Sequence, residues 1–459
     1  MTNSTTPATT PATAPQTVYT LTDGARCLLG GGGVAVLLPA KQRLDGLSPG
    51  QIATLRTLNG GPLRIADDAD EDTVDLLNRL VGAGVVSLIV SAGQRDLYSL
   101  RPFRRPSQPR PVPCSDAFEL SRFTVVRRNG TDVVAEHPRS WCDVAIHDAE
   151  TLATLVGLGS ALPAQIRDRL AADLAWSGHA VGPGTESHDF ATRSWSPHEL
   201  WFHRRSTVGD RGTSWAHFGP TRWADGEFEP LPARRERYDG EPVSLPTPDL
   251  AALRQDDQPL TAVVEDRKSV RDFDDRHPVT AAQLGELLHR CARTRSVRTT
   301  NANRAVPEEL PSRPFPSGGS LYELEVYAVV RIADGIPAGM YHYDSFDHVL
   351  RPVAPYDSPA VRRLVAPASL TLADGQLPQV LLVLAARPGR IMWTYEQMPY
   401  AVILKHVGVL TQTLYLTSTA MGLGGVAQGY GDTAAFAEAT GADELTECNV
   451  GSFVVGTPR

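Results

Sequence analysis

The sequence predicts an α+β protein whose C-terminal half sets strands against one long buried helix. Three features carry that expectation. Glu325–Arg331 and Gln379–Ala385 are apolar, β-branched runs of strand length. Pro399 to Met421 is the longest helical pattern in the chain, with proline in its first turn, where a missing N–H costs nothing, and Gly422 closing it. Thr280 and Gln283 form a capping box ahead of Leu284, Leu287, Leu288 and Cys291 at helical spacing.

The chain has 459 residues, 42% hydrophobic and 21% charged, an ordinary globular composition and enough for several domains. It carries 44 basic and 52 acidic residues, a net charge of −8, which argues against nucleic acid as the main partner because phosphate neutralisation needs a basic face. Five separated cysteines, with no Cys-x-x-Cys pair, favour a reduced, cytoplasmic life over a disulfide framework. No Lys or Arg precedes Arg26, as a secretory signal would require, and the longest apolar run, Val81 to Ala92, falls short of the ~20 residues of a membrane span. No membrane partner is expected.

Residues 1–16 are dominated by a Thr/Pro/Ala tract with nothing to bury and read as a disordered tail. A first module, 17–101, carries a strand at Val34–Leu38 after a Gly30–Gly33 hairpin turn. A capping box at Ser48 and Gln51 opens a helix there, and a second helix runs from Glu71 to Ala83. A strand follows at Val85–Val90. Two helices and then a hairpin make a winged-helix outline. Pro102–Pro113 is proline-rich and reads as an extended linker. A second winged-helix-like module, 114–228, has strand character at Phe118–Arg128. It turns at Asn129-Gly130, returns at Val133–Glu136 and continues into helices at Thr151–Val156 and Ala164–Ala175. A further linker, Glu229–Asp249, precedes the C-terminal domain at 250–459.

Arg267, Lys268 and Arg271 gather three cations around Ser269. Such a set suits an anion, since Arg forks take phosphate oxygens in pairs while Lys and Ser add further donors. The same residues would also make a solvated basic turn paired with Asp272, Asp274 and Asp275. Pro316-Ser317-Gly318-Gly319 precedes a strand, and its glycines let backbone approach a flat ligand closely. The glycine-rich stretch 421–432 follows a helix instead of opening one, which rules against a dinucleotide phosphate turn and suits a backbone lying against a cofactor ring. His198 and His203 are five residues apart and do not share a helix face, so no zinc helix is read there and no metal site is expected.

RKSVR at 267–271, PSGGSLYELEVY at 316–327, MYHYD at 340–344, the GLGG and QGYGD elements of 422–432 and VGSFVVGTPR at 450–459 together resemble the SagB-type branch of the nitroreductase superfamily. The resemblance covers roughly 250–459 and reaches more weakly into SPHELWFHRRS at 196–206. It implies a nitroreductase-like fold, with a central mixed sheet and a long buried helix, and an FMN-binding homodimer with flavin at the subunit interface. Arg267, Lys268, Ser269 and Arg271 would take the FMN phosphate, with Arg459 joining them. Pro316, Ser317, Gly318 and Gly319 would face the flavin. Gly424, Gly425, Gln428 and Gly429 would supply N–H groups near the ring, where fixed donors stabilise the charge gained on reduction.

Family members with assigned roles oxidise azolines to azoles in ribosomally made peptides. The resemblance therefore implies a modified precursor peptide as substrate, N-terminal modules that grip its leader, and a cyclodehydratase partner. Those enzymes carry a Lys-Tyr pair just upstream of the long helix for proton removal. Here the pair reads Thr394-Tyr395, so Tyr395 is the candidate catalytic residue, with Glu396 or Lys405 as substitutes for the lost base. A buried tyrosine with a satisfied hydroxyl is the alternative for Tyr395. Loss of the lysine also leaves room for other flavin chemistry on a peptide or small molecule, and an inactive peptide-binding scaffold is a third reading.

Overall fold

The computed structural model describes residues 14–38, 42–65, 70–106, 108, 118–207, 221, 223–300, 307–396 and 398–459. The expected tail lies outside them up to residue 13, as does most of the proline-rich linker beyond Pro106. The chain divides into two compact units, 1–212 and 213–459.

The first unit is organised by one seven-stranded antiparallel sheet. Its strand order is Leu63–Arg64, Gln16–Leu21, Val86–Ala92, Arg95–Pro102, Cys142–Ile146, Asp132–Glu136 and Val125–Asn129. The helix–helix–hairpin outline is present, with helices Pro49–Gly60 and Glu71–Gly82 ahead of the Val86–Pro102 hairpin, and the Ser48/Gln51 capping box closes in both directions. The segments read as separate modules nevertheless share this sheet, because Arg95–Pro102 pairs directly with Cys142–Ile146. A buried polar tie reinforces the join. Asp173, on the helix Ala164–Ser177, accepts from Tyr98 Oη at 2.9 Å and from Arg169 Nε at 2.9 Å, and Arg169 also reaches Thr17 at 2.9 Å. One apolar core containing Leu80, Leu88, Leu100, Val144 and Leu170 runs through both segments.

The second unit is a three-layer sandwich. Its sheet orders the strands Val243–Ser244, Val349–Pro355, Gly339–Asp344, Leu324–Val330, Val380–Ala386, Cys448–Gly456 and Gly424–Gln428. The resemblance implies a mixed sheet; every pairing in this sheet is antiparallel. The correction follows from connectivity: the three strands from Leu324 to Pro355 form a meander joined by short turns, and a parallel neighbour would need a helical crossover there. Val380–Ala386 is buried on both faces, as its unbroken apolar run demands. Val380, Leu382 and Leu384 pack with Leu284, Leu287 and Leu288 of the helix Ala281–Ala292 and with Ile403, Leu410 and Leu414 of the long helix Pro399–Ala420. On the opposite face Leu381 and Val383 meet Val361, Leu364 and Phe436.

Residues 229–249, read as a linker, are strapped onto this unit. Arg234 donates to Asp344 at 2.7 Å, Arg235 to Glu447 at 2.8 Å, and the Ala233 N–H to Glu309 at 2.8 Å. Tyr238 meets Tyr327, whose hydroxyl donates to Glu447 at 2.6 Å, and Val243–Ser244 adds a short edge strand. The proline and arginine content that suggests a free linker is here the chemistry of docking against buried acids.

Burial alone would raise the Asp344 carboxyl, but hydrogen bonds from Arg234 and Arg351 hold it down to about 2. A depressed carboxyl contributes stability that is complete above its ordinary value near 4 and fades as pH falls through the folded value. Asp344→Asn is expected to be less stable than wild type at neutral pH. The gap should close between about pH 4 and pH 2, read from denaturant midpoints across that range.

Candidate active site

The 267–271 loop leaves the helix Leu260–Asp266 and runs against the edge strand Gly424–Gln428, where the Val270 N–H donates to the Gly425 carbonyl at 3.0 Å. Tyr415 of the long helix ties the two together. Its hydroxyl lies 3.0 Å from Ser269 Oγ and accepts the Ala427 N–H at 2.8 Å, and the Arg267 guanidinium stands 5.3 Å over its ring. The C-terminus closes the group: Phe273 bridges to Pro458, and Arg459 pairs with Asp272 at 3.4 Å. These segments bring Arg267, Ser269 and Arg459 beside the glycine strand, with Lys268 and Arg271 exposed on the same loop.

The acids that would pair with the cations in a solvated turn are engaged elsewhere. Asp272 is taken by Arg459, Asp274 by Arg276 and His277, and Asp275 by Arg331. Among the described residues Arg267, Lys268 and Arg271 have no acidic partner, although acids outnumber bases along the chain. An uncompensated cation cluster beside a hydroxyl donor is the chemistry of a phosphate site.

Gly424 and Gly425 are glycine for packing. A β-carbon at 424 would stand 2.7 Å from Val270 and one at 425 would stand 2.4 Å from the Phe453 ring, while one at Gly429 meets nothing within 4 Å. In an antiparallel strand the N–H and C=O of a residue share one edge. Because the Gly425 carbonyl and the Ala427 N–H both face outward, the Gly425 N–H faces outward too, and Gly424, Val426 and Gln428 turn into the ladder. The Gln428 side chain is engaged by the Thr371 hydroxyl at 2.8 Å.

A second cluster lies farther along the same helix. The Gly318 N–H donates to His406 Nε2 at 2.8 Å, and a β-carbon at 318 would lie 3.3 Å from the Tyr395 hydroxyl. His406 and Tyr415 are nine residues apart, about 13 Å along a helix. Tyr395 is half-buried and, with Glu396, Trp223, Met392 and Pro399, lines an open pocket of ≈ 360 Å³. Burial raises the Tyr395 hydroxyl above its ordinary value, so at neutral pH it is a donor and not a base. Lys405 is exposed on the long helix and is not among the residues lining the pocket.

Sequence reasoning missed Tyr415, His406, Glu323 and Trp223. The histidines read as scattered and structural, and Trp223 belongs to a turn whose Thr221 N–H reaches the Trp393 carbonyl at 2.8 Å, a contact no local pattern announces. Among the described residues no group of His, Cys, Asp and Glu could hold a metal ion, and no helix is long and apolar enough to cross a membrane. No disulfide joins the four described cysteines.

Residues 264–457 match the nitroreductase family, and residues 118–211 match the cyanobactin oxidase ThcOx family. A curated protein of Methanocaldococcus jannaschii named as a nitroreductase is 26% identical over 190 residues, covering 41% of this chain and 85% of that protein. Among solved structures, a nitroreductase-named protein of Ralstonia eutropha is 24% identical, covering 53% of this chain and 99% of that one, at a TM-score of 0.36. A chain of the E. coli microcin synthetase McbBCD complex, bound to truncated pro-MccB17, is 20% identical, covering 56% of this chain and 86% of that one, at 0.35. The nitroreductase match lies at the C-terminal end and takes in less than half of the chain. Two further solved structures named as nitroreductases, from Exiguobacterium sibiricum at 12% identity and a TM-score of 0.30 and from Desulfitobacterium hafniense at 15% and 0.27, hold FMN.

The glycine geometry separates two roles. Gly425→Ala is expected to lower the unfolding free energy by about 1–3 kcal/mol through overpacking against Phe453, whereas Gly429→Ala should stay within a few tenths, both read from urea midpoints.

Proposed function

We propose that this chain is a SagB-type FMN-dependent dehydrogenase that oxidises azoline rings to thiazoles or oxazoles in a ribosomally made precursor peptide. The observation that carries the reading is the cyanobactin oxidase match at 118–211 upstream of a nitroreductase-family domain at 264–457. The site fits FMN on its own chemistry. Arg267, Lys268 and Arg271, which have no acidic partner among the described residues, form with Ser269 a phosphate-sized donor set, Arg459 lies alongside in a pair with Asp272, and the Gly425 edge offers an outward N–H.

FMN, when bound, supplies the acceptor for a hydride equivalent. The chain's own residues supply the rest. The pocket beside Tyr395 would hold the ring. With the Tyr395 hydroxyl kept protonated by burial, it donates a hydrogen bond to the heterocycle, and proton acceptance falls to the Glu396 carboxylate in the same pocket. Glu396 thus takes the place of the base that Thr394 cannot provide. The Pro316–Gly319 loop would lie against the flavin. Segments 17–101 and 114–228 would bind the leader peptide or a cyclodehydratase. A homodimer is supported by Tyr400 and Leu404 of the long helix and Leu260 and Val264 of the helix before the cation loop, all large and exposed.

Incubating the FMN-loaded protein with an azoline-containing peptide should remove two hydrogens per ring, seen by mass spectrometry. Glu396→Gln should reduce turnover ~100-fold or more and Tyr395→Phe roughly tenfold. The absent lysine favours one competing reading, reduction of an acceptor with a nicotinamide donor. Nicotinamide oxidation without any azoline turnover would establish that reading instead.

A further inference from the structure

His406 is the side chain that joins the Pro316–Ser320 loop to the long helix, and it does so in one tautomer. A backbone N–H can only donate, so the Gly318 bond to Nε2 at 2.8 Å leaves that nitrogen bare. The ring proton then sits on Nδ1, which points at Glu323 Oε1 at 2.7 Å. Glu323 is fully buried and His406 is 7% exposed, so water competes for neither. The other carboxylate oxygen, Oε2, has no hydrogen-bond partner among the described residues, so His406 is the partner on which this buried acid depends.

The loop needs such a tie. Gly319, Ser320 and Tyr322 all have positive φ, at 63°, 57° and 46°, a conformation that costs free energy at the two non-glycine positions. Ser317 Oγ accepts the Tyr322 N–H at 3.0 Å and Arg390 holds the Leu321 carbonyl at 2.6 Å, both from outside the long helix. At Gly318 the Tyr395 hydroxyl, His406 Nε2 and Val402 Cγ1 converge, within 3.3–3.6 Å of where a β-carbon would stand.

We infer that His406 is a positioning residue: held as the Nδ1–H tautomer by Glu323, it captures the Gly318 N–H and fixes the 316–320 loop beside Tyr395. The inference deepens the reading of that loop as part of the flavin site and rests on it. The tautomer is independent of cofactor and can be read from long-range proton–nitrogen spectra of protein labelled with ¹⁵N in the histidine rings, with His406→Gln identifying the signal. The expected result is a protonated Nδ1 and a bare Nε2 at neutral pH. His406→Leu leaves the Gly318 N–H without an acceptor and should weaken FMN binding, followed by flavin fluorescence, about tenfold. His406→Gln, whose amide oxygen can accept the same N–H, should recover affinity to within about threefold of wild type. An Nε2-protonated or doubly protonated ring, or FMN affinity unchanged in His406→Leu, would overturn the inference. Absence of FMN binding by the wild-type protein would instead count against the flavin reading, leaving the ring spectra to decide the tautomer.

Discussion

The close approach of Val270 to the backbone of Gly424 and Gly425 is the constraint on which the rest of the site depends. The loop carrying Arg267, Lys268, Ser269 and Arg271 can lie this close to the edge strand because residue 424 has no β-carbon. That contact brings the Val270 N–H to Gly425 and leaves Ser269 within reach of the Tyr415 hydroxyl. Without it the cations would be an ordinary solvated turn. With it the loop is held at the strand, and the acids nearest its cations are committed to Arg459, Arg276, His277 and Arg331.

The long helix turns this local contact into a site. One stripe, from Ala401 through Ile403, Leu410 and Leu414 to Ser418, is buried against the sheet. Two polar residues on the same helix, His406 and Tyr415, reach the glycine loop and the cation loop respectively. The strap at 229–249 supplies Arg234 and Arg235, which neutralise acids that would be costly to bury alone. Packing order and charge pairing therefore agree on which cations are structural and which remain available to a ligand.

Much of this was legible in the sequence because it is local. Both capping boxes, the apolar strands and the proline-opened helix depend on neighbours within a turn or two, and each forms as its pattern dictates. The cation and glycine motifs were legible as chemistry, though not as neighbours. What could not be read depends on partners far away in the chain. The Arg234–Asp344 pair spans 110 residues, and the His406–Glu323 pair spans 83. The shared N-terminal sheet is likewise invisible to periodicity, since a strand pattern does not say which strand it will meet. The antiparallel order of the C-terminal sheet has the same cause.

The account stands on flavin being held by the 267–271 loop, the Gly424–Gln428 strand and Arg459. The most direct test is the visible spectrum of the purified full-length protein, with chromatographic identification of the flavin released on denaturation. The account predicts FMN at one per chain, lost when Arg267 and Lys268 are both replaced by alanine in a protein that still folds. Protein that retains no flavin, even after the apoprotein is incubated with FMN, would contradict it.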